Sequence, residues 1–393
     1  MRFRRRHIVN MSLITLGLSS LPSIAKADLF YSIFDLGVAA GGDFSRGYSI
    51  NASGQVAGFS GASGGAFTAF RTTATGKFSD SGADLGTLPG RPIASARSIN
   101  ATGQVTGTSG HAFRTSGTGT LNTAADLGVL SGGTSSDGFG INASGQVVGQ
   151  SVVSGNLHAF RTSGTGNLSD PNADLGILGT GNYSKGFGIN DSGQITGVAS
   201  ISPGGVNHAF RTTATGNLST AVDLGLFPGA VTSQGNAINA GGQVVGTSGT
   251  FGFRTTATGT LATATQIGNF PGGFGVTEAK SINTVGDVVG TARSASGFYH
   301  AFLYTDAGGL QDLNSLISTG DQASWLLGDA LGINDSGQVT GIGTIGGQDH
   351  GYRLTLSASG GPVAGAATPE AGTCALLGSL GLVGATVVRR RNK

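Results

Sequence analysis

An Ile-Asn pair followed by Gly-Gln-Val recurs seven times in this chain of 393 residues. A unit repeated every few tens of residues buries its apolar face only by stacking on its neighbours, so the period narrows the fold first. The Ile positions are Ile50, Ile99, Ile141, Ile189, Ile238, Ile282 and Ile333, at spacings of 49, 42, 48, 49, 44 and 51. Each pair opens I-N-x-x-G-Q-V/I-x-G, as in INASGQVVG at 141–149, and the sixth copy carries Asp287 in place of Gln. Two further marks keep the count. H-A-F-R stands at 111, 158 and 208, with HAFL at 300, HGYR at 350, TAFR at 68 and a degenerate FGFR at 251. D-L-G begins at Asp35, Asp84, Asp126, Asp174 and Asp223 and decays to Gln266-Ile267-Gly268 and Asp312-Leu313-Asn314.

Spacings inside the repeat locate the strands. From the D-L-G Asp, or its substitute, to the next Ile the distance is 15 residues five times running, then 16 and 21. From the H-A-F Phe to the next Asp it is 13 or 14 five times, then 10; from Ile to Phe it ranges from 14 to 21. Length variation therefore concentrates in one loop, before H-A-F, roughly at 59–67, 150–157, 198–207 and 291–299. Residues before Ile-Asn, such as KGFGIN at 185–190, alternate small and apolar. Asn-x-x-Gly suits a tight hairpin: the Asn side chain caps the turn, and Gly takes the positive-φ position next to a bulge. Q-V-V-G is β-branched, H-A-F-R-T is a third strand, and the stretch into D-L-G is the fourth. Four short strands in about 47 residues predict an all-β fold, a seven-bladed β-propeller, ahead of a β-solenoid or a sandwich. The chain ends argue for a closed ring. FYSIFDLG at 30–37 is a fourth strand without its first three, and the last repeat, roughly 328–356, has three strands and no fourth. Pairing the two completes the seventh blade and removes free edges.

Composition agrees. Glycine numbers 73 of 393 residues, and charged residues are 11 % where about 25 % is usual. Nine prolines without a G-x-y register exclude collagen, and the scarcity of charge argues against disorder. Basic residues crowd the ends: five in residues 1–27 and four in 389–393. Residues 28–388 keep 13 basic residues against all 20 acids, a net charge of −7, so no nucleic-acid partner is expected.

Both ends read as processing segments. MRFRRRH is a basic n-region, and an apolar stretch from Met11 to Ile24 ends in Ala25-Lys26-Ala27. That is a secretory signal peptide over 1–27, cleaved by signal peptidase between Ala27 and Asp28; the alternative is an N-terminal anchor. The export route, general or twin-arginine, stays open. Residues 28–356 form the repeat domain and 357–367 a Gly/Ala-rich linker. Ala371 to Val388 is uncharged and followed by Arg-Arg-Arg-Asn-Lys, which reads as a transmembrane helix with its basic flank inside. The single cysteine, Cys374, lies in this span, so no disulfide forms within the chain.

Thr368-Pro369-Glu370-Ala371, a Gly/Leu-rich span and an Arg-rich end together resemble the PEP-CTERM sorting signal of Gram-negative bacteria, over residues 368–393. The chain departs from that pattern at Ala371, where a second Pro is expected. The resemblance implies handling by an exosortase-type transpeptidase after transient insertion in the inner membrane. The alternative is a plain anchor that leaves the repeats in the periplasm. The H-A-F, D-L-G and I-N-x-x-G-Q-V marks resemble the bacterial HAF repeat family of probable extracellular repeats, over nearly all of 30–356. That resemblance implies a surface location and supplies no active site.

Candidate chemistry is sparse. His111, His158, His208, His300 and His350 hold equivalent strand positions, so they spread round a ring and do not converge on a metal. The D-L-G carboxylates, one per blade, read as turn caps. No catalytic, cofactor or metal residue is expected. Asn51, Asn100, Asn142, Asn190 and Asn334 match the glycosylation pattern N-x-S/T but read as turn chemistry. Trp325, Phe298 and Tyr299 are the candidate ligand contacts. The expected role is structural or adhesive, at the cell surface or in the exopolysaccharide matrix, with exopolysaccharide or surface glycans as partners. The alternative is a secreted propeller lyase or hydrolase, which a non-repeated acid pair in the central channel or on the variable face would favour.

Overall fold

The computed structural model describes residues 30–62 and 65–357. Ala25, Ala27, Asp28, nearly all of the linker, and Thr368, Pro369, Glu370 and Ala371 with the apolar span behind them lie outside the described residues. Among those described, no helix is long and apolar enough to cross a membrane.

Seven antiparallel sheets form a seven-bladed β-propeller, as the repeat predicts. Blade 1 runs Phe44–Ile50, Val56–Gly61, Phe67–Arg71, Asp84–Gly86, from channel to rim. The innermost strands of blades 2 to 7 are Ser95–Ile99, Gly133–Ile141, Ser184–Ile189, Ser233–Ile238, Glu278–Ile282 and Trp325–Ile333. Blade 7 takes three strands from the end of the repeats, and its fourth is Tyr31–Asp35, with Tyr31 opposite Leu356 and Asp35 opposite Tyr352. The expected closure is thus present. Blade 3 has the shortest outer strand. Only Asp174 bridges to Phe160, yet Arg161 N–H to Ala173 O (2.8 Å) and Leu175 N–H to Ala159 O (2.9 Å) continue its ladder.

The core lies between blades rather than within them. Ala57, Ala69 and Leu85 of blade 1 share one cluster with Val105 and Phe113 of blade 2. The aromatic of every H-A-F copy is buried: Phe70, Phe113, Phe160, Phe210, Phe253, Phe302 and Tyr352 are each at most 1 % exposed. Burying one such ring stabilises the fold by about 2–3 kcal/mol, and the ring does so only with the preceding blade in place.

Each mark of the repeat has a structural task. Asn142 shows that of Ile-Asn. Its Oδ1 accepts from Gln146 N–H (2.9 Å), its Nδ2 donates to Gln146 Oε1 (2.8 Å), and the same Nδ2 donates to Asn190 O of the next blade (3.2 Å). The equivalent bond to the next blade is made by Asn51, Asn100, Asn190, Asn239 and Asn334, and Asn334 to Asn51 O (2.9 Å) joins blade 7 to blade 1. These asparagines are 3–6 % exposed, which bears out the turn reading. The Gly of Asn-x-x-Gly, such as Gly145 at φ 80°, holds the expected left-handed position. Arg71, Arg114, Arg161, Arg211, Arg254 and Arg353 each reach over the seam to the carbonyl of that glycine in the next blade. At the seam between blades 6 and 7 Leu303 stands where the arginine would, and Asn283 turns to the carboxylate of Asp287 (3.1 Å). A larger apolar cluster with Tyr31, Leu313, Leu316, Trp325 and Leu327 holds that seam.

Candidate functional site

The innermost strands share one irregularity. The register slips between Gly47 and Ser49, and again at the same place in all seven blades. The extra residue is always the one two before the repeat Ile: Tyr48, Arg97, Phe139, Phe187, Asn236, Lys280 and Leu331. A bulge leaves its residue out of the ladder and re-aims its side chain. All seven line one central cavity of about 750 Å³. Tyr183 and Thr232, from the loops leading into blades 4 and 5, and Asn207, which opens the third strand of blade 4 after a variable loop, also line it, so it opens on the face that carries the variable loops.

The packing explains why the bulge is there. An ideal Cβ on Gly149 would stand 1.8 Å from Asp137 O, and the equivalent figure is 1.9 Å at Gly58, Gly107, Gly197, Gly246, Gly290 and Gly341. The last Gly of I-N-x-x-G-Q-V-x-G therefore lets the second strand pass under the distorted first strand. On the flanking side small residues let neighbouring strands meet. A Cβ on Gly188 would lie 3.0 Å from Ala237 Cα of the next blade.

The lining is divided. Tyr48, Arg97, Phe139 and Phe187 form an aromatic arc. The Arg97 guanidinium sits 4.6 Å from the centroid of Tyr48, and the Phe139 and Phe187 centroids are 5.3 Å apart. Asn236 and Lys280 form a polar arc. Asn236 accepts from Gln234 Nε2 (2.6 Å) and donates to Ala279 O (2.8 Å). Lys280 Nζ bridges Asp329 Oδ1 (3.0 Å) and Glu278 Oε2 (3.3 Å), and Asp329 also accepts from the Thr291 hydroxyl. Burial pulls the Lys280 ammonium down, but Asp329 and Glu278 outweigh it and hold it above its ordinary value. A protonated lysine at neutral pH is no general base. Of the two carboxylates Glu278 lines the cavity and Asp329 does not, and each is tied to this lysine.

The histidines of H-A-F do not converge. His111, His158, His208, His300 and His350 each place Nδ1 2.6–3.1 Å from the D-L-G carboxylate of their own blade, at Asp126, Asp174, Asp223, Asp312 and Asp35. Those carboxylates also cap the following turn, as Asp35 Oδ1 does from Gly37 N–H (2.7 Å). Among the described residues no group of three potential ligands could hold a metal ion.

Of the candidate ligand contacts, Trp325 needs correction. It is 7 % exposed and packs edge-on to His350 and Tyr352, because it opens the innermost strand of blade 7 rather than standing in a loop. A ring so enclosed is core and no stacking platform. Phe298 and Tyr299 are 64 % and 44 % exposed. They lie away from the bulge ring, which the sequence reading missed. The signal was available in the aligned copies: unlike residues at one position between small ones.

Comparison by sequence finds no matching family model and no matching curated protein. Solved structures do match. An oligogalacturonate lyase in complex with manganese aligns with TM-score 0.50 at 11 % identity, over 85 % of this chain and 99 % of that one. The oligogalacturonate lyase of Vibrio parahaemolyticus aligns with TM-score 0.49 at 12 % identity, over 85 % and 99 %. TolB from Acinetobacter baumannii aligns with TM-score 0.38 at 11 % identity, over 68 % of this chain and 64 % of that one. At such identities the likeness is one of fold alone.

Proposed function

We propose that this protein is an exported, surface-routed propeller that binds a saccharide in the mouth of its channel and serves a structural or adhesive role in the envelope or exopolysaccharide matrix. One observation carries the reading. On a scaffold whose marks repeat, the bulged positions line a common cavity with aromatic side chains on one arc and polar ones on the other, which supports a ligand-binding role. Aromatic faces opposite amide and charged groups suit a pyranose, which offers C–H faces and hydroxyl edges. The tripartite tail and the basic leader support export, with signal peptidase and an exosortase-type transpeptidase as processing partners.

The test is calorimetric titration of the purified protein with neutral hexasaccharides of the cello, malto and laminari series. Binding by one series, abolished in Phe139→Ala/Phe187→Ala, is expected. Heats near zero for all three, or binding indifferent to the double substitution, would sink the channel reading. Routing is tested by the mass of protein from the cell surface. A C-terminus near 369–373 fits sorting, whereas a retained Arg-Arg-Arg-Asn-Lys end in the inner membrane means an anchor.

A second reading, a polysaccharide lyase or hydrolase, draws on Glu278, Lys280 and Asp329. It requires release of one carboxylate from Lys280 on substrate binding. New reducing ends from the same oligosaccharides, or unsaturated products from oligouronides, lost in Asp329→Asn, would favour it.

A further inference from the structure

A second cluster lies on the variable-loop face, at the tip of blade 6. The strands Val288–Arg293 and Tyr299–Thr305 meet there. Arg293 and Tyr299 are cross-strand partners, and the Arg293 guanidinium stands 4.6 Å from the Tyr299 ring centroid and 5.7 Å from that of Phe274. Phe274 comes from the loop that enters the blade. It is 60 % exposed, and Phe298, which precedes Tyr299 in the chain, is 64 % exposed. Ser294 and Ser296 share a hydroxyl hydrogen bond (2.8 Å) in the turn between the strands.

Blade 1 supplies the contrast. There Arg46 lies 6.0 Å and 5.9 Å from the rings of Phe44 and Phe59, but Phe59 is 8 % exposed and Asp349 stands 3.7 Å from the guanidinium. That cluster is closed and its charge is answered. At blade 6 no carboxylate of the described residues pairs with Arg293; the nearby Glu278 is engaged by Lys280. The Nε atoms of Arg293 and Arg46 are both buried without a hydrogen-bond partner, so the two clusters differ in counter-charge and in the exposure of their rings. A cation held between rings with no counter-charge is a site for an anion, and exposed ring faces beside it are sites for a sugar.

We propose that Arg293, Phe274, Phe298 and Tyr299 form a binding site for an acidic saccharide. Arg293 receives its carboxylate or sulfate, and the exposed rings stack on the pyranose. The site goes beyond the channel reading and does not depend on it. The repeat domain is net negative, so it repels a polyanion at long range, and any affinity must come from a local site such as this one.

Affinity electrophoresis of the purified full-length protein tests this, in gels containing polygalacturonate, dextran sulfate, dextran or polyglutamate. Retardation by polygalacturonate or dextran sulfate is expected, and which of the two acts distinguishes carboxylate from sulfate. Arg293→Gln weakens it about tenfold, the effect of losing one charge-assisted contact. Phe298→Ala, at an exposed ring where folding is not at stake, weakens it severalfold. Phe187→Ala, in the channel, leaves it unchanged, so failure here and failure of the channel reading are separable. Equal retardation by dextran, retention in Arg293→Gln, no retardation by either polyanionic sugar, or polyglutamate binding indifferent to Phe298→Ala would each overturn the proposal.

Discussion

At the Ile-Asn end of the innermost strands the blades present the same residue: Asn51, Asn100, Asn142, Asn190, Asn239, Asn283 and Asn334. Two residues before the Ile they present Tyr48, Arg97, Phe139, Phe187, Asn236, Lys280 and Leu331. The two rings lie on the same strands, yet one is uniform and the other mixed. Each asparagine spends its amide on its own turn, and all but Asn283 also on the next blade, so another side chain there leaves buried donors and acceptors unpaired. The bulged residue has left the ladder and faces a cavity, where stability asks little of it. Uniformity thus marks what holds the ring shut, and diversity marks what the ring presents.

The sharpest way to break this comparison is to attack the packing that creates the bulge. Gly149→Ala forces a Cβ against the carbonyl of Asp137 and should cost more than about 3 kcal/mol or prevent folding. A urea midpoint close to wild type would mean that the strand crossing is looser than the structure indicates. Next in size is the belt. Asn142→Ala removes the contacts to Gln146 and Asn190 at a buried site and should cost about 2–3 kcal/mol in urea unfolding.

Lys280 is the member of the mixed ring that is held by ion pairs with carboxylates. Its folded pKa is raised, so its contribution is complete below the ordinary value of 10.5 and is lost as pH climbs through the raised one. Lys280→Met should therefore destabilise at pH 7, and the difference from wild type should narrow in a strongly alkaline buffer. A pH-independent difference would mean that Lys280 acts by packing alone. The smallest expected effect on stability is that of Phe187→Ala, about 1–2 kcal/mol for a half-buried ring. A loss equal to that of Asn142→Ala would erase the distinction between the two rings.

Much of the fold was legible beforehand, for local reasons. I-N-x-x-G specifies its own turn through one amide and one left-handed glycine, and the split blade follows from counting strands at the two ends. The pairing of the H-A-F histidine with the D-L-G aspartate was half legible. The carboxylate was read as a cap, which it is, but its second partner sits across a strand pair. Trp325 was misread because its neighbours look like an insert. The insert ends just before it, after the short helix Thr319–Gln322.

By itself the sequence determined the number of blades, the hairpin turns, the third strand of each blade and the join between the first strand and the last. Each of these follows from residue type at a repeated position. The tertiary structure decided where the bulged residues point, which arginines find a carboxylate and which do not, and that Lys280 binds Glu278 and Asp329 together. These facts depend on neighbours tens of residues apart in the chain, brought together only when the ring closes. A one-residue slip in a ladder turns a strand residue towards the channel, and strand periodicity alone carries no sign of the slip.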